Sequence, residues 1–352
     1  MRLAPPPRLV DGAILAAVAT VAATGLGTAF AGVPAAAWVF DLHGVAGFAL
    51  AVLLVFKFRR VAPRVGNAAA WNRTVAVSVA TALIAVAGLA TGVFWSLGGS
   101  FTVLAWNAMN LHVFVGLALV PLLAVHLLAR WRPPRRVDVE GRRTALQAAA
   151  LVGGSILAWR LRGALVALLG TAPSRRFTGS REAGAAPGNT FPSTSWVADD
   201  PDPIDPDGWR LTVRGAVERE RSWSLGALPA GDGERATLDC TSGWYTTQDW
   251  RGVRVGRLLD AADPADGARW VSFRSVTGYR FSLPLGEARR ALLATHVGDE
   301  PLSHGHGSPA RLVAPGRRGF QWVKWVEAVE VRETPDYGQW IAIFTSGFTR
   351  GR

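Results

Sequence analysis

Cysteine is almost missing: Cys240 is the only one in 352 residues, so no disulfide forms within the chain whichever compartment holds it. Its thiol is a buried small hydrophobe, a nucleophile or a metal ligand. Histidine is sparse too, with six residues, so each one carries weight in any search for ligands. Acidic residues are missing from the first of two basic connections. The first carries Lys57, Arg59, Arg60, Arg64 and Arg73, and the second opens with Arg130 and Arg132. The formal charge of +12 could point to nucleic acid, but much of it sits in short clusters beside hydrophobic spans. Membrane topology explains such clusters first, and no nucleic-acid partner is expected.

Hydrophobic residues are abundant, 49% of the chain, and unevenly spread. Residues 9–170 hold long Ala, Val, Leu and Gly runs, whereas 173–352 read as an ordinary soluble domain. A helix needs about 20 apolar residues to cross a hydrocarbon core of roughly 30 Å. Four stretches qualify, near 9–30, 37–56, 74–97 and 105–129, and a fifth near 144–169 is interrupted by Arg160 and Arg162. The first fold class is therefore an all-α transmembrane bundle of four or five spans over residues 1–170. The second connection continues with Arg135, Arg136, Arg142 and Arg143, while the opposite loops near 31–42 and 98–104 contain only Asp41. By the positive-inside rule the N-terminus and the basic loops are cytoplasmic. Trp38, Trp95 and Trp106 then mark the outer interface, and Trp71 and Trp131 the inner one. Five spans put the C-terminal half outside an inner or cytoplasmic membrane. Gly141-Arg142-Arg143-Thr-Ala-Leu-Gln147, running into the fifth span, resembles a twin-arginine export signal; a simple topology anchor is the alternative.

Three histidines lie in the spans: His43, His112 and His126. An ionisable group at membrane depth is a functional hypothesis by default. His112 and His126 are 14 residues apart, which puts them within roughly 40° of one helix face and about 21 Å apart along the axis. His43 and His112 both sit near the outer ends of their spans, so they form the expected axial pair for a b-type haem. A second haem on His126 would need a partner near position 57, where this chain has Lys57. One haem is expected, with two still open. Polar bonding between helices is the plain alternative.

Residues 171–208 are rich in Pro, Gly, Ser and Asp and read as linker and opening segment. Strand character follows at 209–213, 269–275, 279–283, 311–313 and 326–331, with helices expected at 253–262 and 285–294. The domain 209–352 is expected to be α+β and mainly β.

The segment Ala236-Thr-Leu-Asp-Cys240-Thr-Ser-Gly-Trp244, followed by Trp250-Arg-Gly-Val253, resembles the sulfite oxidase superfamily. So does the block Gly298-Asp-Glu-Pro-Leu302, His306-Gly-Ser-Pro309-Ala-Arg311, Pro315-Gly316, Gly319-Phe320 and Val323-Lys324-Trp325. The resemblance covers about 177–352, opening at Phe177-Thr-Gly-Ser and Asn189-Thr-Phe-Pro192. It implies a molybdopterin cofactor whose molybdenum is bound by Cys240, a soft ligand suited to that centre. It gives the cofactor phosphate to Arg311 and Lys324, with backbone help from Trp322 and Val323, and the pterin to His306. Asn189 and Ser275 are carried over to the same pocket, and Arg280 is a candidate for binding an oxyanion substrate. His304-Gly-His306 by itself is a weak metal signal, and Trp244, Tyr245 and Trp250 read equally well as core or substrate wall.

The function expected is a membrane-bound molybdenum oxidoreductase transferring an oxygen atom to or from a small S- or N-oxide or sulfite-like substrate. Electrons would pass through haem to a membrane quinone pool. Two readings compete: a molybdopterin enzyme on a haem-free anchor, and a cofactor-free binding protein on the same scaffold.

Overall fold

The computed structural model describes residues 5–67, 69, 71–104, 106–130, 132–133, 135, 138, 140–168, 175–195 and 199–348. Trp131, Arg136 and residues 171–174 and 196–198 of the expected linker lie outside them. The chain divides into two compact units, Met1–Gly179 and Ser180–Arg352.

The first unit contains five helices long and apolar enough to cross a bilayer, which marks it as a multi-pass membrane domain. They are α1 (Pro7–Thr28), α2 (Ala37–Val65), α3 (Arg73–Ser96), α4 (Ala108–Arg130) and α5 (Arg142–Leu168). Proline opens α1, where its missing N–H is harmless. Asn72 caps α3, its side chain accepting from the Val75 N–H at 3.0 Å. The internal core is small, built from Val10, Ala17, Val18, Leu50, Leu53, Leu54 and Ala85. Large apolar side chains such as Leu26, Leu83 and Leu128 point outward instead, as a lipid solvent requires. Asp11 of α1 neutralises two cations of α2, Lys57 at 2.7 Å and Arg60 at 2.6 Å.

The two arginines do not break the fifth helix. The Arg162 guanidinium lies 3.2 Å from the centre of the Trp159 ring and donates to the Trp159 carbonyl. The Trp159 indole in turn donates to Asp41 at 2.7 Å. Its ring fills the space above Gly44, where a Cβ would sit only 2.2 Å from it. A glycine is what lets α5 close onto α2.

The second unit has two sheets. The first contains β1 (Arg181–Glu182), β4 (Asp232–Asp239), β5 (Trp244–Arg254), β8 (Leu292–Val297), β9 (Glu300–Pro301) and β10 (Arg311–Val313). Strand β5 is its spine, pairing with β4 and β8 antiparallel and with β1 in parallel. The second sheet runs β3 (Arg221–Ser224), β2 (Arg210–Gly215), β11 (Val326–Arg332), β6 (Trp270–Ser275), β7 (Arg280–Pro284). Helix α6 (Val255–Ala262) follows β5, and α7 (Gln339–Thr345) closes the chain. A continuous core joins the sheets, with Leu211, Val213, Trp250, Leu258, Phe273 and Leu292 all solvent-free. Strand and helix in this proportion match the α+β, mainly β expectation.

One expected element is corrected. The apolar run at 285–294 was expected to be helical, but only Leu285–Ala288 makes a helical turn and Leu292–Val297 is a strand. A short, continuous apolar run reads alike for a buried helix and a buried strand. Here it lies between β5 and β10, almost wholly out of solvent.

Candidate active site

Cys240 sits at the end of β4, where the chain turns tightly into β5. Its N–H donates to the Trp244 carbonyl at 2.8 Å, and its own carbonyl accepts from Gly243 N–H at 3.1 Å. Gly243 supplies the left-handed turn conformation, at φ +88°. The thiol is free and buried. Ser242 N–H points at the sulfur from 3.5 Å.

Two cations share this region. Arg311, on β10, is 2% exposed; its guanidinium lies over Trp250 and Trp322, 5.2 and 5.9 Å from their ring centres. Nη1 donates to the His306 carbonyl at 3.0 Å, while Nε is buried without a hydrogen-bond partner. Burial pushes its pKa down to about 10, against an opposing pull from Cys240; it remains a cation at neutral pH. Lys324 donates to three neutral oxygens: Ser193 Oγ at 3.2 Å, Ser195 Oγ at 3.0 Å and the Gly305 carbonyl at 2.6 Å. Burial and the repulsion of Arg311 push its ammonium down to about 7, with Cys240 and Asp199 opposing. Gly307 lets the two cations approach, because a Cβ there would meet Lys324 Cβ at 3.0 Å and Arg311 Cβ at 3.1 Å. A buried guanidinium and a half-buried ammonium, bonded to neutral acceptors, form a site that favours an anion.

His306 lies on the turn before Arg311. Its Nε2–H donates to the Phe191 carbonyl at 2.9 Å, and Nδ1 faces Ser303 Oγ at 2.7 Å and Asn189 Oδ1 at 3.0 Å. Burial lowers its pKa to about 4, so the imidazole is neutral. Asn189 ties the opening segment to the turn at 300–303, through Glu300, the Pro301 carbonyl and Ser303 N–H. Trp322 is buried and its indole donates to the Arg317 carbonyl at 3.3 Å. The carbonyl of Val323 is taken by Leu312 N–H.

Cys240, His306, Arg311, Trp322, Val323 and Lys324 are thus brought together around one locus, with Asn189 behind His306. Ser275 stands one shell away, buried and bonded to Thr277 Oγ1 at 3.0 Å. Arg280 is otherwise engaged: its Nε meets Asp336 at 2.8 Å, beneath α7. His304 and His306 diverge, His304 Nε2 bonding the Pro201 carbonyl at 2.9 Å. Among the described residues no three His, Cys, Asp or Glu side chains converge on a metal site. Trp250 is core, 0% exposed, and also floors Arg311. Asp199 escaped the sequence reading; it is 7% exposed, and burial pushes its carboxyl up, with Thr277 and Lys324 opposing. It sits in the Asp- and Pro-rich stretch that reads as solvated linker.

The histidines of the first unit form a second locus. The His43 and His112 rings lie 6.0 Å apart, centre to centre, at 82°. His112 Nδ1 donates to the Gly88 carbonyl at 2.9 Å, and His43 Nδ1 meets Thr24 Oγ1 at 3.1 Å. Bonding at Nδ1 would leave Nε2 as the nitrogen open to a metal. Two metal–nitrogen bonds of about 2 Å plus the imidazole radii come to roughly 6 Å, so the pair fits a single iron. Gly92 makes room for His112, since a Cβ there would lie 2.9 Å from the ring. His126 bonds Ser78 Oγ at 3.1 Å, with Lys57 and Asp11 in electrostatic reach and no second imidazole beside it in these contacts.

Residues 198–340 match the oxidoreductase molybdopterin binding domain. The protein-methionine-sulfoxide reductase catalytic subunit MsrP of Xanthomonas campestris pv. campestris is 31% identical over 144 residues, 35% of this chain and 44% of that protein. The uncharacterized oxidoreductase YuiH of Bacillus subtilis is 28% identical over 171 residues, 46% of this chain and 86% of that protein. Mitochondrial sulfite oxidase of Mus musculus is 32% identical over 124 residues, 32% of this chain and 23% of that protein. The chain therefore spans less than half the length of the MsrP relative. These likenesses fall on the unit that gathers Cys240, Arg311 and Lys324: the mixed-sheet domain of this chain matches the oxidoreductase molybdopterin binding domain over residues 198–340.

Proposed function

We propose that the chain is a membrane-bound molybdenum oxidoreductase that transfers an oxygen atom and exchanges its electrons with a membrane quinone pool through b-type haem. The observation that carries this is the convergence of the only cysteine with a buried arginine and a half-buried lysine that lack a bonded anion in these contacts. When bound, molybdenum in a dithiolene ligand supplies two-electron oxygen-atom transfer, and haem supplies one-electron steps. Cys240 would hold the metal through its sulfur, with Ser242 N–H beside it. Arg311 and Lys324 would hold the cofactor phosphate, and neutral His306 would hydrogen-bond the pterin. Trp250 and Trp322 keep water from the Arg311 side. The S-oxide direction is favoured by the likeness to a protein named as a methionine-sulfoxide reductase. Reducing a sulfoxide takes two electrons and two protons and releases a sulfide and water. His43 and His112 would hold one haem near the outer face, with the C-terminal domain on that side and the export route twin-arginine or plain insertion.

Viologen-driven reduction of S- and N-oxides, run beside ferricyanide-coupled sulfite oxidation, tests the activity. Turnover of either class supports the reading, and turnover of none in molybdenum-loaded protein contradicts it. Arg311→Met is expected to lower bound molybdopterin at least about tenfold, the effect of ~1.4 kcal/mol, as measured by pterin fluorescence after oxidative release. Lys324 gives a pH signature in cofactor-free chain. The unfolded lysine keeps its proton up to about 10.4, while the folded one releases it near 7. Its contribution to stability therefore rises with pH across that window. Lys324→Met is expected to flatten this rise in the urea midpoint between pH 7 and pH 10; an unchanged slope would place the titration elsewhere.

A further inference from the structure

We propose that the buried ion pair Asp239–Arg318 is a positioning device that fixes Cys240 relative to the segment carrying Trp322, Val323 and Lys324; this rests on the reading of that site as the molybdopterin site. Both side chains are nearly solvent-free, at 2% and 5% exposure, with Arg318 Nη1 2.6 Å from Asp239 Oδ1. Nη2 of the same guanidinium donates to the Cys240 carbonyl at 3.3 Å. One arginine thus grips both the side chain before the cysteine and the backbone of the cysteine itself. Ser180 adds a third tie, its hydroxyl donating to Asp239 Oδ1 at 2.7 Å.

The backbones are in register as well. Asp239 and Arg318 form an isolated parallel bridge. Gly319 lies so close that a Cβ there would sit 3.1 Å from Cys240 Cα and 3.3 Å from the Asp239 carbonyl. Beyond it the chain cannot drift. Arg318 N–H donates to Gln321 Oε1 at 3.0 Å, and Gln321 N–H returns to the Arg318 carbonyl at 2.9 Å. That closed turn delivers Trp322, Val323 and Lys324. A six-residue path therefore connects the cysteine's own backbone to the lysine that is to hold the phosphate.

Burying such a pair is a poor way to gain stability, because the desolvation of both charges offsets most of their attraction. What it does supply is a single geometry, with an ion pair to Asp239 and a hydrogen bond to the Cys240 carbonyl from one planar group. Asp239 also neutralises Arg318, so that Arg311 and Lys324 remain the cations facing the anion site.

The test compares Arg318→Lys, Arg318→Gln, Asp239→Asn and the double variant Asp239→Asn/Arg318→Gln, which leaves no isolated charge if a single variant fails to fold. Because Cys240 is the sole thiol, iodoacetamide reports on it alone in full-length, cofactor-free protein. Alkylation is expected to rise at least about tenfold in the Gln, Asn and double variants through freer local opening, with Arg318→Lys close to wild type. Unchanged rates in those variants overturn the proposal, and that outcome needs no molybdenum. In loaded protein, variants that keep their molybdenum are expected to show shifted Mo(V) EPR g-values and a lower kcat at unchanged KM. A wild-type spectrum and kcat at full molybdenum content would also overturn it. If wild-type protein holds no molybdenum, the alkylation result still stands or falls alone.

Discussion

Cys240→Ser is expected to lower the proposed oxygen-atom transfer by about a thousandfold or more, ~4 kcal/mol of transition-state stabilisation, while leaving most of the bound pterin in place. The serine hydroxyl matches the thiol in shape but is not ionised at neutral pH, so it replaces a soft, charged ligand with a hard, neutral one. The anchors for the pterin and phosphate are on other elements. Arg311 is set on β10 and Lys324 on the turn after Gly319, and neither bonds the sulfur in the structure. Activity and cofactor content should therefore separate. Thermal stability should change little, since the backbone bonds to Trp244, Gly243 and Arg318 do not involve the sulfur. Steady-state rates and pterin content, measured on one preparation, check the point. A Ser variant with near-wild-type kcat would remove Cys240 from the chemistry.

Single replacement of His43 or His112 by Ala is expected to abolish the b-type α-band that the proposed haem would give in the reduced-minus-oxidised spectrum, with His126→Ala expected to retain it. The first two rings face each other at a separation that fits one iron, each held through Nδ1 by a neighbouring helix. His126 is held by Ser78, and position 57 opposite offers a lysine already paired with Asp11. Loss of the band only in the His126 variant would reverse the assignment. A wild-type spectrum with no band would leave the spans as an anchor, and the molybdenum reading would be untouched. Gly92→Val should imitate the His112 loss in part, because its side chain would occupy the space of the ring.

The membrane helices were legible because apolar runs of that length have few other uses, and the boundaries moved by three residues or fewer except at the end of the second helix, which runs nine residues past the expected 56 to Val65. The arginine pair in the last span looked like an interruption. It is accommodated because Trp159 stacks on Arg162 and bonds Asp41 of another helix, a long-range pairing no local pattern encodes. In the second unit, Cys240, Arg311 and Lys324 stand out from their flanking motifs. Arg280 stood out too, yet its guanidinium is tied to Asp336, 56 positions away. Arg317 and Arg318 are adjacent in the sequence. The first is half-exposed and pairs with Glu287, whereas the second is buried on Asp239 and the Cys240 backbone. Which of two adjacent arginines turns inward depends on the opposing strand, and a single sequence does not carry that information.

The most direct test is the molybdenum content of the purified full-length chain, by mass spectrometry of the metal together with fluorescence of the oxidised pterin. The account predicts about one molybdenum and one pterin per chain, falling together in the Arg311→Met variant. Protein purified from cells that load other molybdoenzymes, yet carrying neither metal nor pterin, would contradict it.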